Sequence, residues 1–228
     1  MPSATLCRDN LREAFRAAAA ILVPVWCAGC DAPDVLLCPV CLAALEGEPR
    51  RRTLADGLVV YSAVTFDAVP ARAIRALKEE GRTSLARPLG LALARAWAAG
   101  EAEWGRVGDA VPVPTSRAAF RRRGYAPVAL IGRRAGLPTA DLLRPAGTVR
   151  DQRGLARDER RRNVAGSLAA RRGAAGEVVL VDDVVTTGAT LQEAARALRE
   201  AGCRVRGAVT VAATPLRHAR GINHGAWP

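Results

Sequence analysis

The run Val178-Val179-Leu180-Val181-Asp182-Asp183 leaves few folds open to this chain. Four apolar residues in succession read as a strand buried on both faces, the signature of a central strand in a parallel sheet. The flanking sequence supplies what such a sheet needs. Strands are expected at 58–66, 110–114 and 205–212. Helices are expected at 69–80 (closed by Gly81), 84–99 (closed by Gly100), 126–134 (ending at Gly136) and 189–201 (with Gly202 past its end). Strands alternating with helices predict an α/β domain, a parallel sheet flanked by helices on both faces.

At 228 residues the chain has room for one good core and a small appended module. Half of the residues are hydrophobic but only 4% are aromatic, so the core must be built from Ala, Val and Leu. A helix is expected over 10–22, followed by a cysteine-bearing stretch to about residue 45. The polar run 46–52 reads as a linker, which divides the chain into 1–50, 51–214 and an aperiodic tail, 215–228. No segment has the roughly 20 apolar residues of a membrane span. Asp9 and Glu13 in the leading region, and Trp26 before Cys27, argue against a secretory or lipoprotein signal. The expectation is a cytoplasmic protein with reduced cysteines and no membrane partner.

Cys27-Ala-Gly-Cys30 and Cys38-Pro-Val-Cys41 form two CxxC pairs seven residues apart. The two-residue spacing lets both sulfurs of a pair face one ion, and four thiolates suit tetrahedral zinc. With every position filled by thiolate, such a site is structural. Two redox pairs are the competing reading, and the seven-residue gap is short for a zinc finger. Cys7 and Cys203 have no partner motif.

Ligands of open parallel sheets bind beyond the carboxyl ends of the strands, where Asp182 and Asp183 lie. Thr186, Thr187, Gly188, Ala189 and Thr190 then open the next helix. Free N–H groups there, the helix dipole and threonine hydroxyls make an anion cradle, with Gly188 allowing close backbone approach. Acids followed by an anion cradle suit a ligand with hydroxyls on one side and a phosphate on the other, such as a ribose 5-phosphate. The chain contains no G-x-x-x-x-G-K-[ST], which argues against a P-loop ATPase. A receiver-type domain would not need the threonine turn, and a simple capped helix explains neither aspartate.

The net charge is +12, which invites a phosphorylated or nucleic-acid partner. Of the 34 basic residues, however, Lys78 is the one lysine, a skew that GC-rich coding also produces. A lone lysine among arginines also marks a place where a compact ammonium is wanted.

The stretch "VVLVDDVVTTGAT" resembles the phosphoribosyl-pyrophosphate (PRPP) motif of type I phosphoribosyltransferases. The resemblance implies that Asp182 and Asp183 bind the ribose hydroxyls and that Thr186, Thr187, Gly188, Ala189 and Thr190 hold the 5-phosphate. More of the chain resembles the competence protein F (ComF, GntX-like) family. The matching stretches are "CAGC…CPVC" for its zinc-ribbon-like module, "YSAVTFDAVPARAIRALKEEG" ending near Lys78, "PVPTSRAAFRRRGY", and "QRGLARDERRRN". Where that family has Gly-Phe-Asn-Gln, this chain has Gly124-Tyr125-Ala126-Pro127.

The resemblance implies displacement of pyrophosphate from PRPP with magnesium, Asp182, Asp183 and Lys78 being the candidate catalytic residues. Arg117, Arg121, Arg122 and Arg123, in a basic turn after the strand at 110–114, are candidates for a pyrophosphate loop. Gln152, Arg160 and Asn163 are candidates for a closing hood that excludes water. No acceptor or general base is legible, and His218 and His224 in the tail are poor candidates. The alternative is a non-catalytic accessory protein of DNA uptake that binds PRPP, or single-stranded DNA through Arg50–Arg52, Arg121–Arg123 and Arg160–Arg162. Few aromatics interleave with these arginines, so any DNA contact would be made to phosphates and weaken steeply with salt.

Overall fold

The computed structural model describes residues 25–146 and 165–215. The expected N-terminal helix, Cys7, the hood residues Gln152, Arg160 and Asn163, the cluster 160–162 and the two tail histidines lie outside these residues. The fold is α/β, with a mostly parallel sheet flanked by helices and a four-cysteine cluster near its N-terminal end.

A short helix, α1 (Pro39–Ala43), follows the first cysteine pair, and two strands come next, β1 (Arg50–Thr53) and β2 (Val59–Thr65). Helix α2 (Ala68–Glu79) buries Pro70, Ala73, Ile74 and Leu77, the i, i+3, i+4, i+7 stripe of a one-sided helix. After a 3-10 turn at Thr83–Leu85 comes the long α3 (Ala86–Trp104), then β3 (Asp109–Pro112), α4 (Arg117–Arg123) and α5 (Pro127–Arg134). A hairpin of β4 (Leu143–Pro145) and β5 (Leu168–Ala170) precedes β6 (Glu177–Val185), α6 (Ala189–Glu200) and β7 (Arg204–Ala213).

The main sheet has the order β1-β2-β7-β6-β3; β1 is antiparallel at the edge, and the other four strands run parallel. Central β6 buries Val178 to Val181 completely. Val179 and Val181 pack with α2, α3 and α5 on one face, and Val178 and Leu180 pack toward α6 on the other. Helix α6 answers with Leu191, Ala194, Ala195 and Leu198, again one stripe.

Four details differ from the sequence reading. Helix α3 does not end at Gly100 but runs to Trp104 and closes on Gly105, at φ +75°. Gly100 instead makes room for an aromatic ring: a Cβ there would stand 2.4 Å from the Trp104 indole. Strand β6 does not stop at Val181; its ladder with β7 continues through Asp182↔Thr210 and Val184↔Ala212. The basic turn after β3 is helical, because Ser116 accepts the Ala119 N–H (3.3 Å) at its start and left-handed Gly124 ends it. Finally, Arg50–Arg52 are not linker but the edge strand β1.

The cysteine-bearing segment packs on the same core as the sheet, through buried Ala28 and Leu45. Arginines from α2, the turn after it and α3 tie it down: Arg72 pairs with Asp31, Arg82 donates to the Trp26 carbonyl, and Arg95 to that of Leu45. No described helix is long and apolar enough to cross a membrane.

Candidate functional site

Two adjacent carboxylates on one strand alternate faces, which separates their charges. Asp182 lies on the α6 face and Asp183 on the α2/α3 face. Asp183 is 4% exposed, and there the sequence's one lysine meets it: Lys78 Nζ, from the last turn of α2, forms an ion pair with its Oδ2. Asp182, half-buried, accepts the Asp183 backbone N–H at 2.8 Å. Burial first, and then the neighbouring Asp183 charge, push the Asp182 carboxyl well above the usual carboxylate range. Beside it on the same face run Thr210 and Ser62, register partners across β7 and β2, fully buried and hydrogen-bonded to each other at 2.7 Å. The hydroxyl pair gives this end of the sheet a polar floor where the register alone would predict more valine.

Helix α6 opens on Gly188, at φ +84°, a left-handed conformation that L side chains rarely adopt. Space reinforces the choice, since a Cβ on Gly188 would stand 2.5 Å from Leu54 Cδ1. Thr187 Oγ1 accepts the Ala189 N–H at 3.4 Å, and the following first-turn N–H groups have no partner inside the helix. They face the end of the sheet where the acids lie, a ready position for an anion.

The turn is held from behind. Arg52 donates to the carbonyls of Thr186 (2.9 Å) and Thr214. Asp56, in the β1–β2 turn, accepts from Gln192 (3.1 Å) and pairs with Arg199 (3.5 Å) on α6. Arg51 pairs with Glu103 at 2.7 Å. Arg51 and Arg52 therefore brace the protein internally.

Sequence reasoning passed over Tyr125, noting it only as a departure from a family pattern. Its hydroxyl donates to the Leu77 carbonyl, one residue before Lys78, and so steadies the turn that presents the lysine. A phenol following a helix-ending glycine was the available signal.

Arg117, Arg121 and Arg122 stand exposed on α4, and Arg123 is half-buried. Arg117 and Arg121 line a cleft of about 390 Å³ together with Thr115, Phe120 and residues of the β4–β5 hairpin region. Thr115 follows β3, whose Pro112 is in register with Val181, so the cleft opens at the same end of the sheet as the acids. Arg122 and Arg123 do not line it.

The four cysteine sulfurs of Cys27, Cys30, Cys38 and Cys41 lie within 4.8 Å of one another. Tetrahedral zinc with Zn–S near 2.3 Å requires sulfur separations of about 3.8 Å; the Cys30–Cys38 pair stands at 3.6 Å. The donor set fits zinc. Burial pushes the Cys27 thiol up, but the backbone N–H groups of Cys38, Gly29 and Cys30 outweigh it and bring it down to about 6, favouring thiolate. Cys41, the other buried member, is pushed up by burial and by its neighbouring thiols. Cys203 is a buried core thiol.

Fold and site together define a mostly parallel α/β domain with an acid pair and an anion-cradling turn at one end of its sheet. Residues 123–222 match the family model described as the phosphoribosyl transferase domain, a span shorter than half the chain. Among solved structures, the chain is similar to an orotate phosphoribosyltransferase from Aeropyrum pernix, at 22% identity over 76% of this chain and 79% of that one, with a TM-score of 0.35. It is also similar to an adenine phosphoribosyltransferase, at 17% identity over 76% and 89% of the two chains, with a TM-score of 0.40. A third similarity is to an allosteric regulatory enzyme of purine biosynthesis, at 27% identity over 53% of this chain and 24% of that one, with a TM-score of 0.30. No curated protein matches the chain.

Proposed function

We propose that this protein is a PRPP-binding phosphoribosyltransferase that transfers ribose 5-phosphate from PRPP to an acceptor and releases pyrophosphate. The observation that carries the reading is the Lys78–Asp183 ion pair beside Asp182, one turn from the Gly188 cradle. Asp182 and Asp183 accept hydrogen bonds from the ribose hydroxyls, and the 186–190 turn receives the 5-phosphate through its N–H groups. Lys78 and the exposed arginines of α4, Arg117 and Arg121 foremost, neutralise the pyrophosphate. The acceptor's electron pair forms the new bond to the anomeric carbon as the carbon–oxygen bond to pyrophosphate breaks, its electrons leaving with the pyrophosphate. The acid pair, buried Asp183 and half-buried Asp182, favours the positive charge that develops on the ring. Asp182, half-buried and offering hard oxygen donors, would hold a Mg²⁺, which when bound would neutralise the charge that builds on the leaving pyrophosphate.

In this reading residues 1–50 form a module stapled by structural zinc on Cys27, Cys30, Cys38 and Cys41. Residues 51–214 form the transferase-like domain, with β1 at the seam, and 215–228 are a tail. Gln152, Arg160 and Asn163 belong to the hood. The resemblance to the ComF family adds a role in DNA uptake in the cytoplasm, with DNA-uptake proteins as partners. Among the described members of the arginine clusters, exposed Arg50, Arg121 and Arg122 then remain as cations open to a DNA strand.

The test is calorimetric titration of PRPP with magnesium into the wild type and into Asp182→Asn/Asp183→Asn. Micromolar binding by the wild type, lost in the double variant, is expected. Equal binding by both would refute the assignment of the acids.

A further inference from the structure

Two separate elements supply the cations that the transferase reading assigns to the leaving pyrophosphate. Lys78 comes from the last turn of α2, and Arg117 and Arg121 come from α4. Both elements stand at the end of the sheet where the acids lie, yet they are far apart in the chain. One diphosphate can be met by all three side chains only if the two helices keep a fixed relation.

Tyr125 joins them. It stands between Gly124, which ends α4 in the left-handed conformation at φ +77°, and Pro127, the first residue of α5. Ala126, restricted by the proline after it, is extended at φ −103° and ψ 107°. Helix α5 is anchored in the core through Val128 and Ile131, and the half-buried Tyr125 ring packs on the same core. The tyrosine is therefore mounted on a short, stiff link at the foot of α4.

Its hydroxyl donates to the Leu77 carbonyl, one of the orphan acceptors at the end of α2. The Ala76 carbonyl takes the N–H groups of Glu80 and Arg82, at 3.2 and 3.3 Å. Among the described residues, no backbone N–H beyond α2 reaches the Leu77 carbonyl, so the phenol is what holds it. Leu77 is fully buried, and the next residue is Lys78, whose Nζ pairs with Asp183. A lysine ammonium rides on a flexible four-carbon stem, so its place depends on how firmly its own backbone is held.

We propose that Tyr125 is a positioning residue of the pyrophosphate site: through the Leu77 carbonyl its hydroxyl keeps Lys78 in register with the arginines of α4, so that both meet one diphosphate. This role rests on the transferase reading. The ribose acids and the 186–190 turn are held by other contacts, among them the Asp183 N–H to Asp182 and Arg52 to the Thr186 carbonyl.

Tyr125→Phe tests the role in the full chain, since it removes the hydroxyl and keeps the ring. The first readout is calorimetric titration of three probes with magnesium: PRPP, inorganic pyrophosphate and ribose 5-phosphate. The variant should bind PRPP and pyrophosphate roughly three- to tenfold more weakly, the scale of one hydrogen bond, and ribose 5-phosphate within about twofold of the wild type. A purely structural loss would weaken all three alike. The second readout is the side-chain NMR signal of Lys78 after ¹³C-lysine labelling; the chain has one lysine, so the signal needs no assignment. It should shift in the unliganded variant, and the change that pyrophosphate induces in the wild type should shrink. Circular dichroism checks that the variant folds. An unmoved lysine signal, an unchanged pyrophosphate affinity or a parallel loss of all three probes would overturn the proposal. If the wild type and the variant bind PRPP equally well, the positioning role fails and the transferase reading stands. If the wild type binds neither PRPP nor pyrophosphate, the transferase reading fails and the role falls with it.

Discussion

Gly188→Ala tests whether the cradle is shaped by backbone conformation alone or also by packing. At φ +84° an alanine carries the left-handed penalty of about 1–2 kcal/mol, less about 0.4–1 kcal/mol from the lost freedom of the unfolded chain. The new Cβ also stands 2.5 Å from Leu54 Cδ1, 2.7 Å from Cδ2 and 3.1 Å from Cγ. Because all three atoms are close, rotating one methyl away does not relieve the contact. Leu54 is 7% exposed and packed in the core beneath α6, so displacing it adds about 1–3 kcal/mol. The total is about 1–4.6 kcal/mol. Gly57→Ala is the internal control: its φ is +83°, yet no atom lies within 4 Å of the added Cβ, so it should lose no more than about 1.6 kcal/mol. Urea unfolding of both variants, with Leu54→Ala alone and combined with Gly188→Ala, isolates the packing contribution. The shorter side chain should relieve the clash and give a coupling of at least about 1 kcal/mol. If Gly188→Ala and Gly57→Ala lose the same stability within about 0.5 kcal/mol, the packing argument is wrong.

Two further outcomes are expected. Lys78→Met strands the Asp183 carboxylate, 5% exposed at its side chain, and should destabilise the fold by about 3–5 kcal/mol in urea titrations; adding Asp183→Asn should recover most of that. A double variant no more stable than the single one would show that the ion pair is not what holds this corner. Glu103, bound by Arg51 first and then by the Tyr61 hydroxyl, has its carboxyl lowered to about 2. A folded value below the unfolded one means that the unfolded chain binds more protons between pH 4.5 and 2. The contribution is complete above pH 4.5 and fades as the pH falls toward 2. With a third of the side chain exposed, it is worth about 1 kcal/mol or less. Comparing wild type with Glu103→Gln should show a stability gap that is flat from neutral pH to about 5 and closes on further acidification; a gap that widens in acid would refute the assignment.

Local pattern determined much of this protein. The apolar run 178–181 is a central strand because no other environment buries four successive side chains on both faces of a sheet. The stripes at 70–77 and 191–198 make α2 and α6 one-sided, and a glycine after two threonines places the left-handed opening of α6. The paired cysteine spacing carried the metal-binding prediction, and the four sulfurs do converge. Boundaries were less legible: β6 outruns its apolar core because β7 continues to offer it backbone partners, and α3 passes through Gly100 because Trp104 needs the space.

Only the tertiary structure decided who meets whom. Nothing near Lys78 marks Asp183 as its partner; the crossover that lays α2 against the α3 face of β6 does so. Arg52 and Arg121 both sit in runs of three arginines, yet one is consumed in bracing the 186–190 turn while the other faces an open cleft. Arg144 and Arg171 carry no motif at all, and they become neighbours of Phe120 because the β4–β5 hairpin folds back toward α4. Hydrophobic periodicity encodes which face of an element is buried. It does not encode which polar side chains, far apart in the chain, arrive at the same end of the sheet, since that follows from strand order and the direction of each crossover.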